Sequence, residues 1–263
     1  MSPRWLVRWR DACLTLAMAM VLALACGSSA HADLVVTGTR FVYPAGQKAL
    51  TLRTGNAGQR PILVQSWLDA GDADADPARV SVPFLLTPPV FRLDPAGRTN
   101  LLLSHTGEPM PQYRESVFWI NFLEVPARDP AQANLLQLAY RLRMKVLFRP
   151  QGLPGTAEDA IGKVAWTYLP AENEIEAHNA TPYVVSLASL ELERASGAAG
   201  KPGSPRPPIA LSGLTIAPLA RTRFRLPQGA APAPGKNALR YQAANDDGEI
   251  IEGRLPLGLA LPN

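Results

Sequence analysis

The chain has 263 residues, a formal net charge of +4 and three histidines. A chain of this length contains one large or two ordinary domains. The excess of positive charge is too small to indicate nucleic-acid binding, which requires a concentrated basic surface, so we expect no nucleic acid among its partners.

The N-terminus predicts a secretory signal peptide at residues 1–32. Three arginines precede an apolar stretch at residues 14–26, and Ala30-His31-Ala32 offers a small-residue cleavage site. The apolar stretch is shorter than the roughly 20 residues that a membrane-spanning helix needs. We therefore expect an exported, soluble mature chain with no direct membrane insertion.

Both cysteines, Cys13 and Cys26, lie inside the predicted signal peptide. The mature chain is therefore expected to lack disulfides and thiol chemistry, and its stability must come from packed cores. Cys26 leaves one alternative, a lipoprotein, but the preceding residues 23–25 match the usual lipobox poorly.

The first half of the mature chain reads as a series of strands separated by turns that contain proline, glycine and asparagine. The segment 75–82 is interrupted by proline and is expected to be a loop. Seven strands in this arrangement predict an immunoglobulin-type β-sandwich. The predicted strands are 34–44, 48–56, 61–70, 83–95, 99–107, 115–126 and 136–149.

A segment rich in proline and glycine follows Phe148, and it predicts a domain boundary near Pro150 to Thr156. We expect one domain at 33–150 and a second, smaller β-sandwich at 151–263. Its loops at 197–208 and 227–236 are expected to be mobile because they contain few large apolar residues. The predicted strands of this half are 163–170, 174–180, 183–193, 214–227, 238–246 and 249–259.

The last strand of the first half, within residues 135–150, alternates apolar and mostly basic side chains over an unusual length. A typical strand has about five or six residues. Successive side chains of a strand point to opposite faces, so this strand has one apolar and one largely basic face. A long apolar strand of this kind invites pairing by another chain unless its edge is protected or used.

Motifs typical of enzymes are absent from the sequence: there is no nucleophile elbow, zinc-protease motif or phosphate-binding loop. His105 and His178 are the histidines of the mature chain, and both are expected at the surface because a zinc site needs three or four donors. The sequence therefore predicts no catalytic residue, no metal and no cofactor.

Two basic residues are candidates for binding. Arg40 lies within the first strand with apolar neighbours on its own face, where an unpaired guanidinium would be costly. Lys145 lies on the polar face of the long strand. If the two strands are neighbours, the pair forms a site for a carboxylate. The residues alone leave open the alternative that each pairs with an acidic residue of its own chain.

Six ordered blocks of sequence resemble the periplasmic chaperones of the chaperone-usher pilus pathway. The likeness covers the whole mature chain. The blocks are TRFVYPAG (39–46), LTPPVFRLDP (86–95), QYRESVFWINFLEVP (112–126), LQLAYRLRMKVLFRP (136–150), NATPYVVSL (179–187) and NDDG (245–248).

This resemblance implies an all-β fold of two immunoglobulin-like β-sandwich domains arranged as an L. It further implies that a pilus subunit, an incomplete immunoglobulin fold, binds in the cleft and receives the chaperone's long strand as a substitute strand. The matching donor-strand side chains are Leu136, Leu138, Tyr140 and Leu142. Tyr140 departs from the smaller aliphatic residue that is common at its position.

The resemblance also assigns roles to charged residues. Arg40 and Lys145 match the family's anchor for the C-terminal carboxylate of the subunit. Glu115, Arg149 and Asp246 match an inter-domain ionic cluster. The dipeptide 88–89 matches a position at which the family has a cis proline.

The expected function is therefore that of a periplasmic, non-enzymatic chaperone that folds pilus (fimbrial) subunits and delivers them to an outer-membrane usher. The short connection between 126 and 135 resembles the branch that assembles rod-like pili. The empty protein is expected to self-associate through its donor strand. The alternatives are a secreted two-domain adhesin or pilus component, which would carry an N-terminal donor extension, and a secreted β-sandwich hydrolase, which would need a triad or metal set.

Overall fold

The computed structural model describes residues 33–127, 138–192, 208–228 and 238–259. The predicted signal peptide, Leu136 and nearly all of the two proline-rich segments lie outside these ranges. The described part consists mainly of strands, as the sequence predicts. It contains no helix that is long and apolar enough to cross a membrane.

The first domain consists of nine strands in two sheets. One sheet has four strands in the order β1-β3-β7-β5 and the other has five in the order β2-β9-β8-β4-β6. The strands are β1 (Leu34–Val36), β2 (Arg40–Pro44), β3 (Leu50–Asn56), β4 (Ile62–Asp69), β5 (Phe84–Thr87), β6 (Val90–Leu93), β7 (Arg98–His105), β8 (Ser116–Pro126) and β9 (Tyr140–Arg149).

The two sheets enclose one core because the inward-facing residue of nearly every strand is apolar. Leu52 and Leu101 of the four-stranded sheet and Val64, Ile120 and Val146 of the five-stranded sheet are completely buried. They belong to one cluster that runs from Leu34 to Phe148. The alternating burial of β4 and β5 is that expected of strands with one face in a core.

Two predicted strands of this domain are each divided in the structure. The predicted strand 34–44 forms β1 and β2, which belong to different sheets, with Gly38 (φ 106°) between them. The predicted strand 83–95 forms β5 and β6, which also belong to different sheets. The dipeptide 88–89 separates them because proline has no N–H to continue a ladder. The Thr87–Pro88 peptide bond is cis.

The second domain begins with a helix, α1 (Ala157–Lys163), which the sequence analysis did not predict. The helix start was overlooked. Thr156 caps the helix by accepting a hydrogen bond of 3.1 Å from the N–H of Asp159, and Glu158 and Asp159 lie in the first turn. Ala160 and Ile161 are buried against the second core.

Seven strands complete this domain in one sheet of order β13-β12-β15-β16-β10-β11-β14. The long strand β16 joins the two parts of this sheet, because its first part pairs with β15 and its last residues pair with β10. The strands are β10 (Ala165–Leu169), β11 (Glu174–Asn179), β12 (Val185–Leu192), β13 (Ile209–Ile216), β14 (Ala220–Arg225), β15 (Ala238–Ala244) and β16 (Ile250–Leu259).

The predicted strand 214–227 is likewise divided, into the end of β13 and all of β14. Leu219 adopts φ 53° between them, a conformation that ends an extended strand. The second core runs from Ala160 to Leu257 and shares no described residue with the first. The fold is therefore all-β with two domains, as predicted.

Candidate functional site

The long strand β9 has one edge that is partly open. Along Tyr140–Phe148 it pairs with β8, but β2 covers its other edge only from Lys145 to Arg149. Among the described strands, therefore, none pairs with the outer edge of residues 140–144. The backbone groups of an open edge are free to form a ladder with another strand.

The apolar face of β9 continues past the end of the core. Val146 is fully buried and Met144 is 6% exposed, whereas Leu142 is 40% and Leu138 is 50% exposed. Alternation places Leu142, Met144 and Val146 on one face of β9. Tyr140, on the same face, is partly exposed. Of the four predicted donor-strand residues, Tyr140 and Leu142 therefore lie on the open edge, and Leu138 lies two residues before the strand begins.

Arg40 and Lys145 are direct neighbours on the other face of the same sheet. β2 and β9 are parallel, and their register places Arg40 opposite Lys145. Within the described part of the chain, neither residue forms an ion pair, although the charges of Asp246 and Glu115 lie close enough to act on Arg40. Lys145 Nζ instead donates a hydrogen bond of 2.9 Å to Ser186 Oγ.

The electrostatic environment of these two groups favours an anion. Burial and the nearby charge of Arg40 lower the pKa of Lys145 to about 8. Burial also lowers the pKa of Arg40. A carboxylate placed between the two groups would replace lost hydration and relieve their mutual repulsion.

Arg149 connects the two domains through two carboxylates. Its Nε lies 2.5 Å from Glu115 Oε1 of the first domain, and its Nη1 lies 2.5 Å from Asp246 Oδ2 of the second. Glu115 is fully buried, and its other oxygen accepts a hydrogen bond of 2.7 Å from Val184 N–H of the second domain. Burial alone would lower the pKa of Arg149, but the hydrogen bond to Asp246 and the charge of Glu115 raise it above its ordinary value.

A cavity of about 320 Å³ lies between the domains beside these groups. Arg40 and Arg149 line it from the first domain, and Tyr183, Ser186 and Asp246 are among the residues that line it from the second. Residues predicted for two different roles therefore border one cleft.

Sequence reasoning missed three residues near Lys145. Trp119 lies opposite Lys145 on β8, with its ring centroid 5.2 Å from Lys145 Nζ and 4.2 Å from the guanidinium carbon of Arg143. Asp69, which is 1% exposed, accepts hydrogen bonds of 2.5 and 3.2 Å from Arg143. Strand register brings Trp119 and Asp69 to this site, and domain packing brings Ser186, so no sequence pattern could have found these three residues.

The expectation that both histidines lie at the surface holds only in part, because His105 and His178 are both half-buried. The ring of His105 contacts Phe84 and Phe148, at centroid distances of 5.5 and 5.2 Å, and its Nε2 is buried without a hydrogen-bond partner among the described residues. The polar neighbours of His105 in the sequence concealed the aromatic cluster, which forms only across the sheets. In the described ranges no group of three or more potential ligands could hold a metal ion.

Comparison with known proteins gives a consistent result over both domains. Residues 33–154 match the model of the pili and flagellar-assembly chaperone PapD N-terminal domain, and residues 159–255 match that of the pili assembly chaperone PapD C-terminal domain. The probable fimbrial chaperone YadV of Escherichia coli is 39% identical over 250 residues, which cover 92% of this chain and 97% of the relative. The chaperone protein FimB/FhaD of Bordetella pertussis is 37% identical and covers 93% of this chain and 96% of its own.

Solved structures agree with this result. The crystal structure of the YadV chaperone has a TM-score of 0.70 and 36% identity, and it covers 86% of this chain and 100% of its own. The SafB chaperone, solved in complex with the SafA pilin of Salmonella enterica, has a TM-score of 0.66 and 27% identity, and it covers 87% of this chain and 97% of its own. The chain therefore belongs to the family of pilus-assembly chaperones.

Proposed function

We propose that this protein is a periplasmic chaperone that binds and folds pilus subunits by lending them the open edge of β9, and that it then delivers them to an outer-membrane usher. The observation that carries this proposal is the edge at residues 140–144, which has no second neighbour among the described strands. A subunit that lacks one strand of its own sandwich could pair with this edge in place of the missing strand.

The chemistry of capture is strand addition. Backbone hydrogen bonds along the open edge supply affinity, and alternate side chains enter pockets of the partner. Leu138, Tyr140 and Leu142 are the described side chains that would insert, and Leu136 would continue the series. Burying the exposed leucines would contribute about 1 kcal/mol or more each, since they now keep 40–50% of their surface in water.

Arg40 and Lys145 would anchor the C-terminal carboxylate of the subunit. Their adjacency and the absence of an ion pair to either residue within the described part of the chain support this role. An anchor at a fixed point along β9 would set the register between donor strand and subunit, which strand pairing alone leaves free to slip.

The cluster of Glu115, Arg149 and Asp246 would hold the domains at the angle that forms the cleft. We assign the domains to residues 33–150 and 151–263. Support comes from the two separate cores, which divide between Phe148 and Leu153. The three charged groups lie at this junction.

The mechanism needs neither a catalytic group nor a nucleotide, because complementing the missing strand of the subunit itself lowers the free energy of its fold. A periplasmic location is consistent with the predicted signal peptide and with the fimbrial chaperones to which the chain is similar. The SafB–SafA structure supports a pilus subunit as partner.

Co-purification tests the proposal. The tagged mature chain is expressed in a periplasm with the secreted proteins of its own operon, and the eluted proteins are identified by mass. We expect a stoichiometric complex with a small subunit, and we expect Lys145→Ala to lose it. A well-folded monomer that captures nothing would instead favour a two-domain adhesin.

A further inference from the structure

We propose that the cavity beside Arg40 binds the side chain of the subunit's last residue and selects a long basic side chain there. This inference rests on the proposed carboxylate anchor and adds to it a preference for one type of terminal side chain. It follows from the position of the cavity, from its lining and from the charges at its rim.

The cavity adjoins the proposed carboxylate anchor of Arg40 and Lys145. Arg40 lines it, and so does Ser186, whose Oγ accepts the hydrogen bond from Lys145. A terminal residue whose carboxylate lies on Arg40 and Lys145 has its side chain one carbon away, next to this opening. The volume of about 320 Å³ is at the lower end of the range of about 300–1,000 Å³ that is typical of ligand pockets, and it is sufficient for one long side chain.

Apolar side chains form the floor of the cavity, although its surface as a whole is mainly polar. Ile161 of α1 and Tyr183, Val184 and Val185 of the second domain line it, and each is at least 94% buried. A floor of this kind favours the methylene groups of a side chain over water.

The rim is acidic. Glu158 of α1 and Asp247 of the β15–β16 turn both line the cavity and are exposed. Neither has an ion-pair partner in the ranges that the structure describes. Arg149, the other basic lining residue, is already paired with Glu115 and Asp246.

Capture of a subunit changes the balance of charges around the cavity. Arg149 with Glu115 and Asp246 carries one net negative charge, so a terminal carboxylate bound by Arg40 and Lys145 brings the net charge of these groups to zero. Glu158 and Asp247 then remain as the unpaired charges of the cavity. Lysine and arginine combine an apolar stem with a terminal cation, which matches an apolar floor below an acidic rim. A glutamate in this position would meet like charges, and a leucine would fill the floor without using the rim.

The test measures how the intact mature protein binds four probes: Nα-acetyl-arginine, Nα-acetyl-leucine, Nα-acetyl-glutamate and Nα-acetyl-argininamide. Binding is followed by NMR shifts of backbone amides in 183–186 and 244–247. We expect Nα-acetyl-arginine to bind about threefold more tightly than Nα-acetyl-leucine, as is usual for partly solvated charge pairs. Nα-acetyl-glutamate should bind most weakly of the three carboxylates, and the amide should not bind.

The double variant Glu158→Gln with Asp247→Asn should remove the preference for arginine and leave binding of Nα-acetyl-leucine unchanged. Glu172→Gln, which changes an exposed glutamate of the same domain outside the cavity, should change neither.

The outcomes separate this inference from the function on which it rests. If the three carboxylates bind with equal affinity and Lys145→Ala abolishes their binding, the selectivity is overturned and the anchor remains. Two results would overturn the anchor and the selectivity together. One is that the amide binds as tightly as the carboxylates and that Lys145→Ala changes no affinity. The other is that no probe binds.

Discussion

Lys145 of the first domain donates a hydrogen bond of 2.9 Å to Ser186 Oγ of the second. Ser186 is 7% exposed, so this contact lies inside the cleft rather than on its rim. The ammonium group is therefore held at a point where both domains and Arg40 meet. The proposed carboxylate anchor consequently depends on the arrangement of the domains as well as on two basic residues.

Capture of a carboxylate should weaken as the pH rises through about 8. In the empty protein the pKa of Lys145 is lowered to about 8 by burial and by Arg40, so above this pH the amine becomes neutral and no longer attracts an anion. We expect affinity for Nα-acetyl-arginine to fall about three- to tenfold between pH 7 and pH 9, measured by titration at constant ionic strength. Lys145→Arg should flatten this profile, and a flat profile in the unaltered protein would contradict the prediction.

Removing the charge of Lys145 should not destabilise the empty protein at neutral pH. The folded-state pKa of about 8 lies below the ordinary 10.5, so the charged amine costs stability below pH 8, and this cost disappears as the pH rises towards 10.5. Lys145→Met should therefore raise the free energy of unfolding at pH 7 by about 1–3 kcal/mol, less the lost bond to Ser186. Urea unfolding at pH 7 and pH 10 checks both signs; a clear loss of stability at pH 7 would point to an internal ion pair.

Arg40→Ala and Lys145→Ala should each leave the fold intact and weaken subunit binding by about 1.5–3 kcal/mol, because a charge-assisted hydrogen bond to the carboxylate is lost. Binding of a purified subunit, or of a peptide from its C-terminus, gives the affinity, and thermal melting gives the stability. Arg53→Ala, at an exposed position on β3, is the matched control and should bind as the parent does. Unchanged affinity in both cleft variants would exclude the anchor.

An acidic side chain on the open edge should abolish subunit protection and preserve folding. Leu142 is 40% exposed, so Leu142→Asp removes little core packing yet places a charge where the proposed donor strand enters the subunit. The yield of soluble subunit from the periplasm is the measurement. Leu102→Asp is the control, since Leu102 is similarly exposed at 47% but lies on the four-stranded sheet. Normal subunit yield with Leu142→Asp would rule out donation of this strand.

The ionic cluster should respond unequally to loss of its members. Arg149→Ala leaves the fully buried Glu115 without its charged partner and should destabilise the protein by about 3–5 kcal/mol. Asp246→Ala should cost about 1 kcal/mol or less, because the side chain of Asp246 is 34% exposed. Chemical unfolding measures both values, and equal effects of the two changes would contradict this order.

The elements predicted best were those whose signal is local. Alternation located most strands within a few residues, including β9, because one face of each strand lies in a core and the other does not. The divided strands were predicted less well. Residues 34–44 read as one extended run, and only the pairing of β1 with β3 and of β2 with β9 shows that the chain crosses between sheets.

The sequence by itself determined the two β-rich halves and the long amphipathic strand, because strand periodicity is a property of neighbouring residues. It also singled out Arg40, a charged residue among apolar neighbours, and Lys145, on the polar face of the long strand. Tertiary structure alone decided that this pair forms no ion pair in the described ranges, that Ser186 contacts Lys145, and that a cavity with an acidic rim adjoins them. These contacts join residues separated by up to about 200 positions along the chain. Their formation depends on sheet register and domain packing, which no local pattern encodes.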